Sequence, residues 1–313
     1  LLVLLYLIGP TAAPPSFDRS WPTVPSQPKL LQTYLARSEA QLDLRPQNEA
    51  QIIWADSARK TNLCFLYLHG FSASHMEGYP VHTTIAKRYG ANLLRARLSG
   101  HGYRENSLSD FTAESGWNSA KEALAMAAEL GDTVIILSTS TGCTYALMLA
   151  ASFPDKVQAL INLSPNIRVN NGAAFLLNNA WGKQIAHMII GQERHIKPDT
   201  AAYALYWDTL YTVNALVELQ SLLENSMVPK TFAQIEQPVL NLFYYKNEEA
   251  QDQVVSTEKI RWMHKHLASP SEKKVLKPLA SPGNHVLAST IKSKDVATVE
   301  AEILDFCEKV LEL

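Results

Sequence analysis

The chain of 313 residues has few cysteines and no large excess of charge of either sign. Cys64, Cys143 and Cys307 form no close-spaced pair, which argues against a metal site and a disulfide framework and favours buried free thiols. The formal net charge is −2, and no basic stretch is interleaved with aromatic residues, so the sequence does not favour a nucleic-acid partner. No glycine-rich dinucleotide motif follows a predicted strand, so we expect no cofactor and no metal.

Long apolar runs are also missing. The chain opens with eight apolar residues, 1–8, without a methionine, and a bilayer-spanning helix needs about 20. We interpret this segment as the trimmed end of a membrane anchor, which favours a membrane-anchored or cell-envelope protein. A cytoplasmic protein whose first residues pack on the core is the alternative. Prolines crowd residues 10–28 and predict an extended arm, so the N-terminal arm is placed at residues 1–28.

Short apolar runs bounded by turn residues alternate with helical patterns from residue 29 onward. This alternation predicts an α/β fold with a mostly parallel sheet covered by helices on both faces, formed by residues 29–165 and 232–313. The predicted strands are 62–68, 91–97, 133–137, 157–163, 238–244 and 274–279, and the predicted helices are 113–130, 143–152, 256–267 and 293–312.

Residues 166–231 interrupt this alternation and are too long for a simple crossover. They carry two helical patterns, 173–190 and 199–226, and an aromatic set comprising Trp181, Tyr203, Tyr206, Trp207 and Tyr211. Open α/β sheets bind ligands at the carboxyl ends of their strands. We therefore expect a helical cap over that edge, with most of its aromatic residues in the cap's own packing and a minority lining a pocket.

The segment Ser138-Thr-Ser140-Thr-Gly142 approximates the G-x-S-x-G motif, with Ser138 in place of the first glycine. It follows an apolar strand and precedes a helical pattern, which is the strand–turn–helix context of a nucleophile elbow. Ser140 could instead be an ordinary helix N-cap. The context favours the nucleophile, and His285 is then a suitable base because its ordinary pKa of about 6.5 allows proton exchange near neutrality.

Four landmarks in order resemble the α/β-hydrolase superfamily, and more narrowly its carboxylesterase and monoacylglycerol lipase branch, over roughly residues 60–310. They are His69-Gly70-Phe71-Ser72, Ser99-Gly100-His101-Gly102, the Ser138–Gly142 segment and Asn284-His285-Val286. The resemblance implies a nucleophile at Ser140 and a general base at His285. It also implies an oxyanion hole formed by the backbone N–H groups of Phe71 and Thr141.

The triad acid is less clearly marked, because the loop after the strand 238–244 is longer than this family's usual loop. Asp252 precedes Gln-Val-Val and is similar to the family's Asp-x-Val-Val pattern, whereas Glu248 lies closer to the strand. We prefer Asp252, since the apolar pair after it can anchor the loop. The order Ser140, Asp252, His285 is that of the α/β-hydrolases.

These residues predict a serine esterase that cleaves a short-acyl, medium-acyl or monoacylglycerol-like ester through an acyl-serine intermediate. A peptidase or thioesterase with the same triad is an alternative, and so is a non-catalytic protein that binds an apolar ligand. The oligomeric state stays open. We interpret His69 and His101 as structural. His75 and Glu77 could touch substrate, although a solvated loop is the favoured interpretation for both.

Overall fold

The computed structural model describes residues 9–313; residues 1–8, on which the predicted anchor falls, lie outside this range. A seven-stranded sheet forms the centre. Its strands are β1 (Gln51–Ile53), β2 (Thr61–Leu68), β3 (Asn92–Arg95), β4 (Gly131–Thr139), β5 (Ala159–Leu163), β8 (Val239–Tyr244) and β9 (Lys274–Leu279). They lie in the order β1-β3-β2-β4-β5-β8-β9. β1 pairs with β3 in antiparallel fashion, and all the other neighbours are parallel.

The predicted α/β fold class is confirmed, because helices cover both faces of this sheet. Ile136 and Leu160 pack on one face in a hydrophobic cluster with Trp117. Ile135 and Ile161 pack on the other face in a cluster with Phe306. The helices of the two layers are α1 (Pro28–Glu39), α2 (Val81–Arg88), α3 (Ala113–Leu130), α4 (Thr141–Ser152), α8 (Pro229–Phe232), α9 (Thr257–His266) and α10 (Val296–Lys309).

The segment 166–231, called the insertion below, contains less helix than its pattern predicts. The predicted helix 173–190 is a 3₁₀ turn, Ala174–Asn178, followed by α5 (Gly182–Ile190). The break occurs because Trp181 adopts a left-handed conformation with φ 63°. The predicted helix 199–226 divides into α6 (Ala201–Tyr206), a short strand and α7 (Val213–Ser226), and the strand β7 (Leu210–Thr212) pairs with β6 (Glu193–His195).

The extended arm packs on α3. Trp117 Nε1 donates a hydrogen bond of 2.6 Å to the carbonyl of Asp18, and Lys121 lies 2.9 Å from the Asp18 carboxylate. Phe17 meets Trp117 edge to face. The arm therefore covers an otherwise exposed side of the core. Within residues 9–313, no helix combines the length and apolar character needed to cross a bilayer.

Candidate active site

The Ser138–Gly142 segment forms a sharp turn between β4 and α4. Ser140 has φ 55° and ψ −118°, a strained conformation for a residue with a side chain. Its N–H donates to the carbonyl of Leu163 at 2.9 Å, and its carbonyl accepts from the N–H of Asn166 at 3.0 Å. These bonds to the end of β5 stabilise the strained turn, and Ser140 is 6% exposed.

Gly142 is required by the close approach of α4 to the end of β2. A Cβ atom built on Gly142 would lie 2.1 Å from the carbonyl oxygen of Leu68, which leaves no room for a side chain. At the first motif position the structure accepts Ser138 without difficulty, since its side chain lies within the sheet and donates to Asn162 at 3.1 Å. The departure from glycine at position 138 therefore leaves the elbow intact.

The structure brings Asp252 and His285 together. His285 Nδ1 and Asp252 Oδ2 are 2.7 Å apart, and the Asp252 side chain is fully buried. Asp252 Oδ1 accepts from the backbone N–H groups of Val254 at 2.8 Å and Val255 at 3.0 Å. The Val-Val pair thus holds the carboxylate through its backbone, although only Val255 is buried and Val254 is 50% exposed.

Among the hydrogen bonds of residues 9–313, Glu248 is not a partner of His285. Its side chain is exposed and accepts a hydrogen bond of 2.8 Å from the hydroxyl of Tyr245. Of the two carboxylates weighed from the sequence, Asp252 is therefore the one in hydrogen-bond contact with the imidazole.

Burial and the charge of the partner have opposing effects on the pKa values of Asp252 and His285. Burial opposes protonation of His285, but the charge and hydrogen bond of Asp252, together with the charge of Glu77, raise the pKa of His285 above its ordinary value. Burial alone would raise the pKa of Asp252, but His285 and the two backbone N–H donors lower it. Asp252 is thus a carboxylate at neutral pH, suited to fix the imidazole tautomer.

Two contacts after β5 connect the elbow with the histidine loop. Ser164 Oγ donates to the carbonyl of His285 at 2.6 Å, and Asn166 Nδ2 donates to Thr141 Oγ1 at 3.1 Å. Neither Ser164 nor Asn166 was predicted from the sequence as part of the site. The segment Ser164-Pro165-Asn166, which carries two polar side chains directly after a predicted strand, could have indicated them.

The backbone N–H groups of Phe71 and Thr141 are free to bind an anion. Thr141 is the first residue of α4, where N–H groups have no partner within the helix. Among the hydrogen bonds of residues 9–313, neither N–H has an acceptor. Phe71 follows Gly70, on which a built Cβ would lie 2.8 Å from Ser140 Cβ, so this turn runs directly beside the elbow.

Aromatic residues of the insertion pack on both loops that carry the site. Trp207 joins Ala73, after the Gly70–Phe71 turn, and Val286, beside His285, in one buried cluster. Tyr211 meets the ring of Phe71 edge to face, with centroids 5.3 Å apart. Apolar and aromatic side chains therefore border both the Gly70–Phe71 turn and the loop that carries His285.

Two histidines near the site have structural contacts, in keeping with their interpretation from sequence. His69 Nε2 accepts from the N–H of Leu98 at 3.0 Å, and His101 Nδ1 contacts the carbonyl of Ser99 at 2.9 Å. Burial lowers the pKa of both, so both are neutral. The three cysteines are buried free thiols, as their surroundings in the sequence predict.

The prediction of a solvated loop for His75 and Glu77 is wrong. His75 is 4% exposed and Glu77 is 3% exposed, in a 3₁₀ turn from His75 to Gly78. Glu77 Oε2 accepts from the N–H of Gly70 at 2.6 Å. Sequence reasoning missed this burial because the partner is a backbone group positioned by the tertiary fold. In the described part of the chain, no group of three or more histidine, cysteine or acidic side chains is arranged to hold a metal ion.

Comparison with solved structures shows which fold this arrangement belongs to. A lipolytic enzyme of metagenomic origin, from a pair called LipS and LipT, superposes with a TM-score of 0.68 at 18% identity, over 85% of this chain and 99% of that one. The monoacylglycerol lipase of Paleococcus ferrophilus gives 0.60 at 14% identity, over 82% and 96% of the two chains. A soluble variant of monoglyceride lipase from Saccharomyces cerevisiae gives 0.59 at 12% identity, over 83% and 91%.

These proteins are members of the α/β-hydrolase superfamily, and the chain has the α/β-hydrolase fold, as its motifs imply. No protein-family model matches the sequence, and no curated protein matches it.

Proposed function

We propose that this protein is a serine esterase in which Ser140, His285 and Asp252 form the catalytic triad. The observation that carries the proposal is the buried Asp252–His285 hydrogen bond of 2.7 Å, at the same sheet edge as the strained elbow at Ser140. A protein that only binds a ligand has no need of an oriented base beside a strained serine. The structural neighbours, which are named as lipolytic enzymes and lipases, support the same conclusion.

The reaction that we propose proceeds in two stages, acylation and deacylation of Ser140. Ser140 Oγ attacks the ester carbonyl carbon while His285 takes its proton, and Asp252 stabilises the resulting imidazolium. The N–H groups of Phe71 and Thr141 bind the oxygen that becomes negative. The imidazolium returns the proton to the departing alcohol, leaving acyl-Ser140. Water activated by His285 then hydrolyses this ester and releases the acid.

The substrate we propose is an ester with an apolar acyl or alcohol part, such as a short or medium acyl ester or a monoacylglycerol. The aromatic rings of Phe71, Tyr211 and Trp207 around the elbow support this choice. A peptidase or thioesterase would use the same triad, so the choice of ester rests on the apolar surroundings and on the named neighbours.

Hydrolysis of a series of p-nitrophenyl esters of increasing acyl length tests the function. We expect measurable turnover by the wild-type protein and loss of turnover in Ser140→Ala. The exposed Ser109→Ala serves as a matched control and should keep wild-type turnover. Turnover that survives in Ser140→Ala would contradict the proposal.

We also propose that the insertion contacts a lipid bilayer. One side of α5 is exposed and apolar, with Ile185 43%, Met188 83% and Ile189 77% exposed at helical spacing. The carbonyl of Pro10 accepts from the N–H of Trp181, just before α5, so Pro10 lies close to the start of this helix. A membrane-associated location would suit an enzyme that acts on apolar esters.

Flotation with phosphatidylcholine vesicles tests the bilayer contact. We expect wild-type protein to float with the vesicles, and Ile189→Glu to float much less because it places a charge in the contact. Leu30→Glu introduces the same change on α1, at a side chain that is 54% exposed, and should float as the wild type does. Equal flotation of Ile189→Glu and wild type would contradict a contact through α5.

A further inference from the structure

Glu77 is a buried carboxyl group that the proposed triad does not use. It lies in the 3₁₀ turn that follows the Gly70–Phe71 turn and is 3% exposed. A buried acidic side chain is costly unless it is paired. Within residues 9–313 the interactions that favour its charged form come from His285 and from the N–H of Gly70.

Gly70 lies between Glu77 and the nucleophile. A Cβ atom built on Gly70 would be 2.8 Å from Ser140 Cβ, 3.0 Å from Glu77 Oε2 and 3.1 Å from Glu77 Oε1. The thickness of one glycine backbone therefore separates the carboxyl group from the elbow. The hydrogen bond from the Gly70 N–H to Glu77, at 2.6 Å, also fixes the peptide that precedes the proposed oxyanion donor Phe71.

Among residues 9–313, the titratable groups on other elements that interact electrostatically with Glu77 are Tyr67 on β2, Cys143 on α4, Tyr203 on α6 and His285. Burial raises the pKa of Tyr67, Cys143 and Tyr203, so these three are neutral at neutral pH. His285 is the one member of this set that becomes positively charged in the proposed reaction. Burial raises the pKa of Glu77 to about 7, against the effects of His285 and Gly70.

We propose that Glu77 is a positioning residue of the catalytic centre, which fixes the Gly70–Phe71 turn and supplies negative charge to His285 when the ring is protonated. This inference rests on the serine-esterase function proposed above. Before attack His285 is neutral and Glu77 has no cation to stabilise its charge. In the molecules in which Glu77 is already ionised before attack, its carboxylate stabilises the imidazolium that forms when His285 takes the proton of Ser140, and no proton leaves Glu77 in this step. This stabilisation is greater in the transition state than in the ground state, which is the condition for a gain in rate.

The substitution Glu77→Gln tests the role of the negative charge without changing the length of the side chain. The glutamine amide keeps the length of the side chain, and its oxygen can still accept from the Gly70 N–H, but the negative charge is gone. With a p-nitrophenyl ester we expect kcat to fall roughly tenfold with little change in KM, because the lost interaction belongs to the transition state. We also expect the acid limb of the kcat/KM profile to move to lower pH, because the imidazolium of His285 loses a stabilising charge.

Two further variants complete the experiment. Glu77→Asp keeps the charge but shortens the side chain, so its acid limb should stay near the wild-type pH while kcat falls. Glu248→Gln removes the same charge from an exposed position on the acid loop and should match the wild type in both parameters.

An acid limb of Glu77→Gln at the wild-type pH would overturn the inference. A Glu77→Gln variant that fails to fold would also overturn it, because the carboxylate would then be required for folding and not for the reaction. Both results can be distinguished from an error in the proposed function. If the protein is not a serine esterase, the wild-type protein itself will show no turnover that depends on Ser140.

Discussion

At the scale of single residues, the site contains two buried carboxyl groups in opposite electrostatic situations. Asp252 accepts hydrogen bonds from two backbone N–H groups and contacts His285, and these interactions lower its pKa despite burial. Glu77 accepts from the N–H of Gly70, and burial raises its pKa to about 7. Two carboxyl groups with pKa values moved in opposite directions are suited to different tasks at one pH.

Asp252→Asn tests the assignment of the triad acid. The asparagine amide would disturb the tautomer of His285, so we expect kcat to fall by about three to four orders of magnitude while the fold is retained. Steady-state kinetics with a p-nitrophenyl ester measure the change, and Glu248→Gln is the control with expected wild-type kinetics. A larger loss in Glu248→Gln than in Asp252→Asn would reverse the assignment.

Glu77→Gln should also change stability with pH. The pKa of Glu77 is raised from its ordinary value of 4.5 to about 7, so the stability that this group contributes is present below about pH 4.5 and is lost as pH rises through about 7. A glutamine cannot ionise. We therefore expect the variant to gain up to about 3 kcal/mol in unfolding free energy relative to the wild type above pH 7.

Denaturant unfolding of both proteins at acidic and mildly alkaline pH measures this difference. A variant that is less stable than the wild type at alkaline pH would show that the ionised carboxylate supports the fold.

At the scale of elements, a row of polar side chains crosses three neighbouring strands beneath the elbow. Ser138 on β4 donates to Asn162 on β5 at 3.1 Å, and Asn162 donates to Asn241 on β8 at 3.0 Å. The parallel register pairs Ser138 with Asn162 and Asn162 with Asn241. All three are fully buried, and Asn241 continues the row to His264 on α9 at 3.2 Å.

Asn162→Ala should remove the central member of this row. Ser138 and Asn241 would each lose a partner inside the sheet, so we expect a loss of about 2–4 kcal/mol in unfolding free energy, and reduced activity through the elbow. Asn62→Ala on β2 is the matched control, because Asn62 is exposed and should change stability by less than about 0.5 kcal/mol. Equal effects of the two substitutions on the unfolding free energy would show that the row of polar side chains does not stabilise the fold.

Several elements could be predicted from the sequence because burial imposes a clear pattern on them. The strands β2, β4, β5 and β8 are near-continuous apolar runs, since a parallel sheet covered on both faces excludes water from both sides of each strand. The edge strand Gln51–Ile53 was missed because it has three residues and is half-buried. The helix Val81–Arg88 was missed because its β-branched residues are weak helix formers.

The conformation of the site residues could be predicted where a local motif sets the geometry, but not where tertiary contacts set it. The Ser138–Gly142 segment contains its own strand, turn and helix signals, so its conformation could be inferred locally. The position of Glu77 depends on a backbone N–H donated by a different turn, and no spacing in the sequence reports that contact.

At the scale of the whole molecule, a buried ion pair attaches the insertion to the core. Arg45 Nη2 lies 2.5 Å from Asp208 Oδ1, with side chains 16% and 0% exposed. Arg45 also donates to the carbonyl of Leu205 at 3.0 Å, and the N–H of Asp208 donates to the carbonyl of Ser72 at 2.7 Å. The insertion is therefore fixed directly beside the Gly70–Phe71 turn.

Arg45→Met should loosen this attachment. It would leave the Asp208 carboxylate buried without its cation, and breaking a buried pair in this way costs about 3–5 kcal/mol. We expect faster limited proteolysis within residues 166–231, detected by mass spectrometry of the fragments. Arg104→Met is the control, because the Arg104–Asp43 pair is 55% and 75% exposed and contributes at most about 1 kcal/mol. Equal proteolysis of both variants would contradict the attachment.

Covalent labelling of the folded protein with a fluorophosphonate probe, followed by peptide mass spectrometry, tests directly whether Ser140 is the nucleophile. This chemistry requires a serine activated by a neighbouring base. We expect one adduct per chain, located on Ser140 and absent from Ser140→Ala. Folded wild-type protein that takes no label, or takes it on another residue, would contradict the assignment of Ser140 as the nucleophile.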